Sequence, residues 1–216
     1  KIRAVNSQGS GAASGQLSVT PAAAPAAPLI SGVVASDTSL AISFSAPANN
    51  GGAVVTRYEY LIKASIGAAW SASVVADSPI NISNLTNGVG YYIRVRAVNI
   101  IGGGDWSATV TGMPFTSPSA PTISQITPGA NQLTFAYTVA DNGSAITASE
   151  YSLDSGNTWI RIPSSASPLT IVGLLNGTAY TPMLRLVNSA GAGSATTASS
   201  STPRTVPSAP QINSVT

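Results

Sequence analysis

The chain of 216 residues contains no cysteine and no histidine. The first absence removes disulfides and thiolate chemistry, and the second removes the commonest general base and a frequent metal ligand. Charge is scarce as well. Only 7% of the residues are Asp, Glu, Lys or Arg, and nine basic against seven acidic side chains leave a net charge of +2. The nine are dispersed along the chain with no run able to follow a phosphate backbone, so nucleic acid is not an expected partner. No uninterrupted apolar stretch reaches the ~18 residues a spanning helix needs, and no membrane crossing is expected in this segment. The apolar residues, 44% of the total, fall instead in short alternating runs rich in β-branched side chains, punctuated by 20 glycines and 15 prolines. That is the pattern of an all-β protein.

What the chain has in quantity is repetition. The stretch Leu85-Thr86-Asn87-Gly88-Val89-Gly90-Tyr91 runs into an alternating strand that ends Val98-Asn99-Ile100-Ile101-Gly102. It returns as Leu174-Leu175-Asn176-Gly177-Thr178-Ala179-Tyr180 and Val187-Asn188-Ser189-Ala190-Gly191, and its tail opens the chain as Val5-Asn6-Ser7-Gln8-Gly9. Counting from Asn6 to Asn99 gives 93 residues and from Asn99 to Asn188 gives 89, and Pro28, Pro121 and Pro210 keep the same two spacings. A period near 90 residues divides a chain of this length into two complete units with pieces of two neighbours.

A Leu, an Asn-Gly pair, a Tyr six residues after the Leu and an alternating strand closing on Val-Asn-x-x-Gly together resemble a fibronectin type III domain. The resemblance implies tandem immunoglobulin-like β-sandwiches joined by short Pro-rich linkers. It also implies a tyrosine corner at Tyr91 and Tyr180, with buried rings whose hydroxyls bond backbone a few residues upstream. Where the family usually has a Trp in strand B, this chain has Phe44 and Phe135.

The expected organisation follows the repeats. Residues 1–20 are read as strands F and G of a preceding partial domain, with Leu17 and Val19 in strand G. Residues 21–28 form a Pro/Ala linker, a semi-rigid spacer whose prolines fix φ near the polyproline II value. Residues 29–113 form a complete domain, 114–121 a linker, 122–202 a second domain, 203–210 a linker, and 211–216 the first strand of a following domain. In the first domain strand A takes Ile30 to Val34 and strand B takes Leu40 to Phe44. Strand C takes Thr56 to Lys63, with Tyr58, Tyr60 and Ile62 inward and Arg57, Glu59 and Lys63 outward. Trp70 belongs to the next strand, Ile80 to Ile82 make strand E, and Tyr91, Ile93, Val95 and Ala97 line the inner face of strand F. In the second domain Leu133, Phe135 and either Tyr137 or Val139 supply strand B, Glu150 to Leu153 strand C, and Tyr180, Leu184 and Leu186 strand F. Pro182 is the misfit, because a central strand needs its N–H donor, so a bulge or a lost rung is expected there. Glu59 and Glu150 hold matching places on strand C opposite Arg94, Arg96 and Arg185 on strand F, which predicts cross-strand ion pairs.

Candidate chemistry is thin. The seven carboxylates, Asp37, Glu59, Asp77, Asp105, Asp141, Glu150 and Asp154, are scattered, and no enzymatic activity is expected. Asp141-Asn142-Gly143 and Asp154-Ser155-Gly156-Asn157 offer oxygens of the kind calcium takes, but turn chemistry accounts for the same residues and is favoured. No metal and no cofactor is expected. Asn81, Asn84, Asn142 and Asn176 open Asn-x-Ser/Thr triplets, a frequency that chance supplies in so Ser-, Thr- and Asn-rich a chain. Trp70 and Trp159 stand 89 residues apart and read as a repeated packing element. Trp106 has no counterpart and sits in the turn between strands F and G, which makes it the candidate contact residue. The expected function is that of a non-enzymatic structural repeat in a bacterial extracellular filament, surface fibre or adhesin stalk. Its partners would be neighbouring repeats and copies of itself. The alternatives are a module binding a glycan or a host protein at the cell surface, and spacer domains of a secreted polysaccharide-degrading enzyme.

Overall fold

The computed structural model describes residues 1–211, so all but Gln211 of the expected strand at 211–216 lies outside the described residues. Those residues form strands and turns and no helix. In chain order the strands are β1 (Val5–Asn6), β2 (Gly9–Ser10), β3 (Leu29–Ser36), β4 (Ser39–Ser45), β5 (Arg57–Lys63), β6 (Val74–Ala76), β7 (Ile80–Ile82), β8 (Tyr91–Val98) and β9 (Val110–Gly112), then β10 (Thr122–Gly129), β11 (Gln132–Thr138), β12 (Ala148–Ser152), β13 (Ile160–Ile162), β14 (Leu169–Val172), β15 (Met183–Asn188), β16 (Gly191–Ala192) and β17 (Thr196–Thr197). By contacts the chain divides into two compact units, Lys1–Val33 with Ala41–Asn81 and Tyr91–Thr111, and Val34–Leu40 with Ile82–Gly90 and Gly112–Thr216.

One set of strands makes a three-stranded sheet β3-β4-β7 and a four-stranded sheet β6-β5-β8-β9. Period-2 alternation decides what each face carries. On β4 it buries Leu40, Ile42 and Phe44, and on β8 it buries Ile93, Val95 and Ala97. The register sets Tyr58 against Ala97, Tyr60 against Val95 and Ile62 against Ile93, so these three β5 side chains share the inner face. The Phe44 ring meets the Tyr58 ring edge-on at 4.8 Å, a favoured geometry between aromatic quadrupoles.

The second set repeats the topology with sheets β10-β11-β14 and β13-β12-β15-β16, β17 also pairing with β15. Its core is Leu133, Phe135, Ile171, Leu174 and Ala198 in one cluster and Tyr137, Leu169, Leu184 and Leu186 in another. Of the two candidates for strand B, Tyr137 lies on β11 and is buried, while Val139 follows the strand and packs partly buried against the same cluster. Both sets of strands place a cis X–Pro bond just before the strand that completes the smaller sheet, at Ser78–Pro79 and Ser167–Pro168.

Several elements differ from the sequence reading. Leu17 and Val19 form no strand and are exposed, while the hairpin β1–β2 is extended by Gly11 N–H to Ala4 O and Ser14 N–H to Ile2 O. A two-residue strand with nothing to bury has little beyond such bonds to extend it. Trp70 lies before β6 in irregular chain, pinned by Ser71 N–H to Ile62 O at 2.9 Å. Pro182 interrupts strand F as its missing donor requires: Tyr180 makes an isolated bridge with Ser201, and regular pairing resumes only at Met183.

The largest departure concerns the segments read as spacers. Pro25 and Pro28 are buried, as are Pro114, Pro118 and Pro121. Ala23 N–H bonds Gly51 O at 2.7 Å and Ala26 N–H bonds Asn49 O at 2.9 Å. In the later segment Thr116 N–H bonds Asn142 O and Ser119 N–H bonds Ala140 O, both at 3.2 Å. Each segment is tied to the B–C turn of the strands that follow it. Composition alone misreads this because the binding groups are supplied by residues far along the chain.

Candidate functional site

Two asparagines bracket strand F in each repeat, and they explain why the Asn-Gly and Val-Asn pairs recur. The one before the strand accepts a hydrogen bond from the A–B turn: Thr38 N–H to Asn87 Oδ1 at 2.9 Å, and Asn131 N–H to Asn176 Oδ1 at 2.8 Å. Thr38 and Asn131 both have positive φ, so each turn depends on an outside acceptor to hold a disfavoured backbone. The asparagine at the end of the strand is buried and ties three segments together. Asn99 Nδ2 donates to Ala23 O at 2.7 Å and Asn50 O at 2.9 Å, while its Oδ1 accepts from Ile101 N–H. Asn188 Nδ2 donates to Thr116 O at 2.8 Å and Asp141 O at 3.0 Å, and its Oδ1 accepts from Ala190 N–H. Gly104 and Gly193, again 89 residues apart, let the same proline-rich segments pass close. A Cβ on either would collide with the carbonyl of Pro25 or Pro118.

The outer face of the larger sheet holds the polar chemistry. Alternation on β5 turns Arg57, Glu59 and Lys63 away from the core, and on β8 it turns Tyr92, Arg94 and Arg96 the same way, with Glu59 opposite Arg96. Glu59 is nonetheless 6% exposed, because cations and a hydroxyl close over it. Arg96 bonds its Oε2 through Nε at 3.0 Å and Nη2 at 2.7 Å; Ser73 Oγ adds a donor at 2.8 Å, and Arg57 grips Oε1. These bonds, Arg96 foremost, outweigh the cost of burial and hold the Glu59 carboxyl at about 2 against an ordinary 4.5. Aromatic rings interleave with the cations. Trp106 lies 4.5 Å from the Arg96 guanidinium and 5.1 Å from that of Arg94, and Trp70 lies 4.4 Å from Arg94 and 4.9 Å from Lys63 Nζ. The result is a ladder of guanidinium and indole planes, each contact favoured by charge against the ring quadrupole.

The other repeat has a shorter version. Glu150 pairs with Arg185 at 2.8 Å and Arg161 at 3.3 Å, and Trp159 stacks on Arg185 at 3.9 Å. Glu59 and Glu150 thus meet the strand F arginines expected of them. Arg94, equally an expected partner, instead stacks between two indoles.

The other site residues fall as follows. Trp106 is half-buried in the ladder, with the Arg96 and Arg94 guanidinium groups 4.5 and 5.1 Å from its ring centre. Tyr91 and Tyr180 are half-buried where buried rings were expected, and the Tyr180 hydroxyl accepts from Leu175 N–H at 3.0 Å, five residues upstream. Asp154 is spent on its own turn, accepting from Thr158 Oγ1 at 2.6 Å, Thr158 N–H at 2.9 Å and Ser152 Oγ at 2.7 Å. The sequence reading placed Arg57 and Lys63 outward on strand C and Arg94 and Arg96 on strand F, without joining them into one basic face. Four of the nine cations, Arg57, Lys63, Arg94 and Arg96, share one face, although the sequence shows them as dispersed. The signal was the odd–even spacing on two strands that pair.

Residues 24–113 match the fibronectin type III domain family model. The match begins inside the Pro/Ala segment, in keeping with the burial of Pro25 and Pro28. The buried Asn99, the Asn87 turn acceptor and the aromatic–cation ladder all fall within the matched residues. Among solved structures, the chicken CNTN1 FN1-FN3 domains are similar at 15% identity and a TM-score of 0.42, over 94% of this chain and 76% of that one.

Proposed function

We propose that the chain is a non-enzymatic structural segment of a bacterial extracellular protein, a series of fibronectin type III-like repeats in a filament, surface fibre or adhesin stalk. The observation that carries this reading is the way each proline-rich segment is fastened to the strands after it. Asn99 and Asn188 use the same atoms for the same purpose, and Gly104 and Gly193 clear the same path. A segment held by buried hydrogen bonds resists being peeled from the strands it is tied to, as a repeat under tension requires. The acids are in keeping with a structural role, for Glu59 and Glu150 are engaged by arginines and Asp154 by its turn. Its partners are neighbouring repeats and further copies of the same chain. Negative-stain electron microscopy and light scattering of the native protein test this. Extended or polymeric particles are the expected result, and a compact monomer overturns it.

A further inference from the structure

Four cations stand on the outer face of β5 and β8 against one carboxylate, and that carboxylate is consumed by Arg96 and Arg57. Arg94 is left without a counter-charge. The four ion pairs among the described residues do not include it, and its Nε is buried with no hydrogen-bond partner. The indoles of Trp70 and Trp106 lie within cation–π range of its guanidinium. A guanidinium so fixed has lost its rotamer freedom in advance, and what it lacks is an anion for its donors. Lys63 stands beside it, meeting Trp70 and Tyr92 and donating to Ile66 O, with no carboxylate of its own. Arg57 remains 47% exposed at the other end of β5, six residues from Lys63, a row of ~20 Å at the usual strand rise.

We propose that this face binds an anionic sugar polymer, its carboxylate or sulfate groups engaging Arg94 first and then Lys63 and Arg57. A polymer matches a row of this length better than a single ion does. Guanidinium and ammonium groups already crowd the indole faces, which disfavours ligands that need a free ring to stack on, single-stranded nucleic acid among them. Anionic charge and hydrogen-bond acceptance are what the face can still recognise. The other repeat offers an internal comparison, for its two cations, Arg161 and Arg185, share Glu150 and leave neither unpaired.

The test uses the whole 216-residue chain with heparin, polygalacturonate, neutral dextran and a short DNA duplex as probes, at low and moderate salt. Heparin or polygalacturonate binds, dextran does not, and the better of the two shows whether sulfate or carboxylate is preferred. Lys63→Gln and Arg94→Gln each weaken binding at least ~10-fold, the size expected for losing a hydrogen bond between charged groups. Arg161→Gln, an equal change of charge in the other repeat, alters affinity less than twofold. Thermal melts check folding, and Lys63→Gln carries the test if Arg94→Gln melts early. The proposal fails if neither polyanion binds, if Arg161→Gln weakens binding as much, or if the duplex binds as tightly as the sugar polymers.

Discussion

Glu59 is a charged residue almost without water, and its worth depends on whether it is ionised. Its folded pKa of about 2 lies below the ordinary 4.5, so its stabilisation is complete above pH 4.5 and disappears as the pH falls towards 2. Glu59→Gln keeps the shape and removes the charge, leaving Arg57 and Arg96 short of a partner. We expect it to cost about 2 kcal/mol at neutral pH, the scale of a charged hydrogen bond, with the gap to the wild type narrowing between pH 4.5 and 2. Urea titrations across that range measure the convergence, and a pH-independent difference refutes the assignment. Tyr180 makes a quieter case. Tyr180→Phe deprives Leu175 N–H of its acceptor near the surface, where water partly substitutes, so a loss of about 1 kcal/mol is expected in thermal unfolding.

The telling elements are the proline-rich segments, which composition presents as free connectors and the fold converts into bound chain. Asn99→Ala and Asn188→Ala each strip two or more carbonyls of their donor inside a buried site, a loss of about 1–3 kcal/mol. The sharper readout is local. Amide exchange at Ala23 and Ala26 should accelerate in Asn99→Ala while Thr116 and Ser119 stay protected, and the pattern should reverse in Asn188→Ala. Gly193→Ala should loosen the later segment by a different route, since the new methyl would strike the Pro118 carbonyl, a backbone atom unable to swing aside. Equal exchange in all three variants would show that these segments are held by something else.

Across the whole molecule, the repeats share scaffolding and differ in their surfaces. Both use paired asparagines, passing glycines and a Glu–Arg crossing, but only one builds the long ladder with surplus positive charge. The fold permits that division, because each sandwich needs its own core and leaves its outer face free to vary. If the ladder only stiffens its sheet, Trp106→Ala lowers the melting temperature and leaves heparin and polygalacturonate binding unchanged. If it also presents Arg94, the same variant weakens binding under conditions where the protein remains folded. Calorimetry and affinity measurements on one preparation separate the two.

The sequence by itself determined the β class, the period near 90 residues, the inward sets on strands B, C and F, and the pairing of strand C glutamates with strand F arginines. These follow from alternation and register, which are local rules repeated along a strand. Pro182 was legible for the same reason, since a missing donor is a property of one residue. Tertiary structure decided what depends on groups distant in the chain. Ala23 and Thr116 are fastened because Asn99 and Asn188, more than 70 residues later, come back to them. The dispersed cations became one face because β5 and β8 lie side by side, and Trp106 gained cationic neighbours because Arg94 and Arg96 emerge beside it. Spacing along the chain carries no information about such meetings until the sheet is closed.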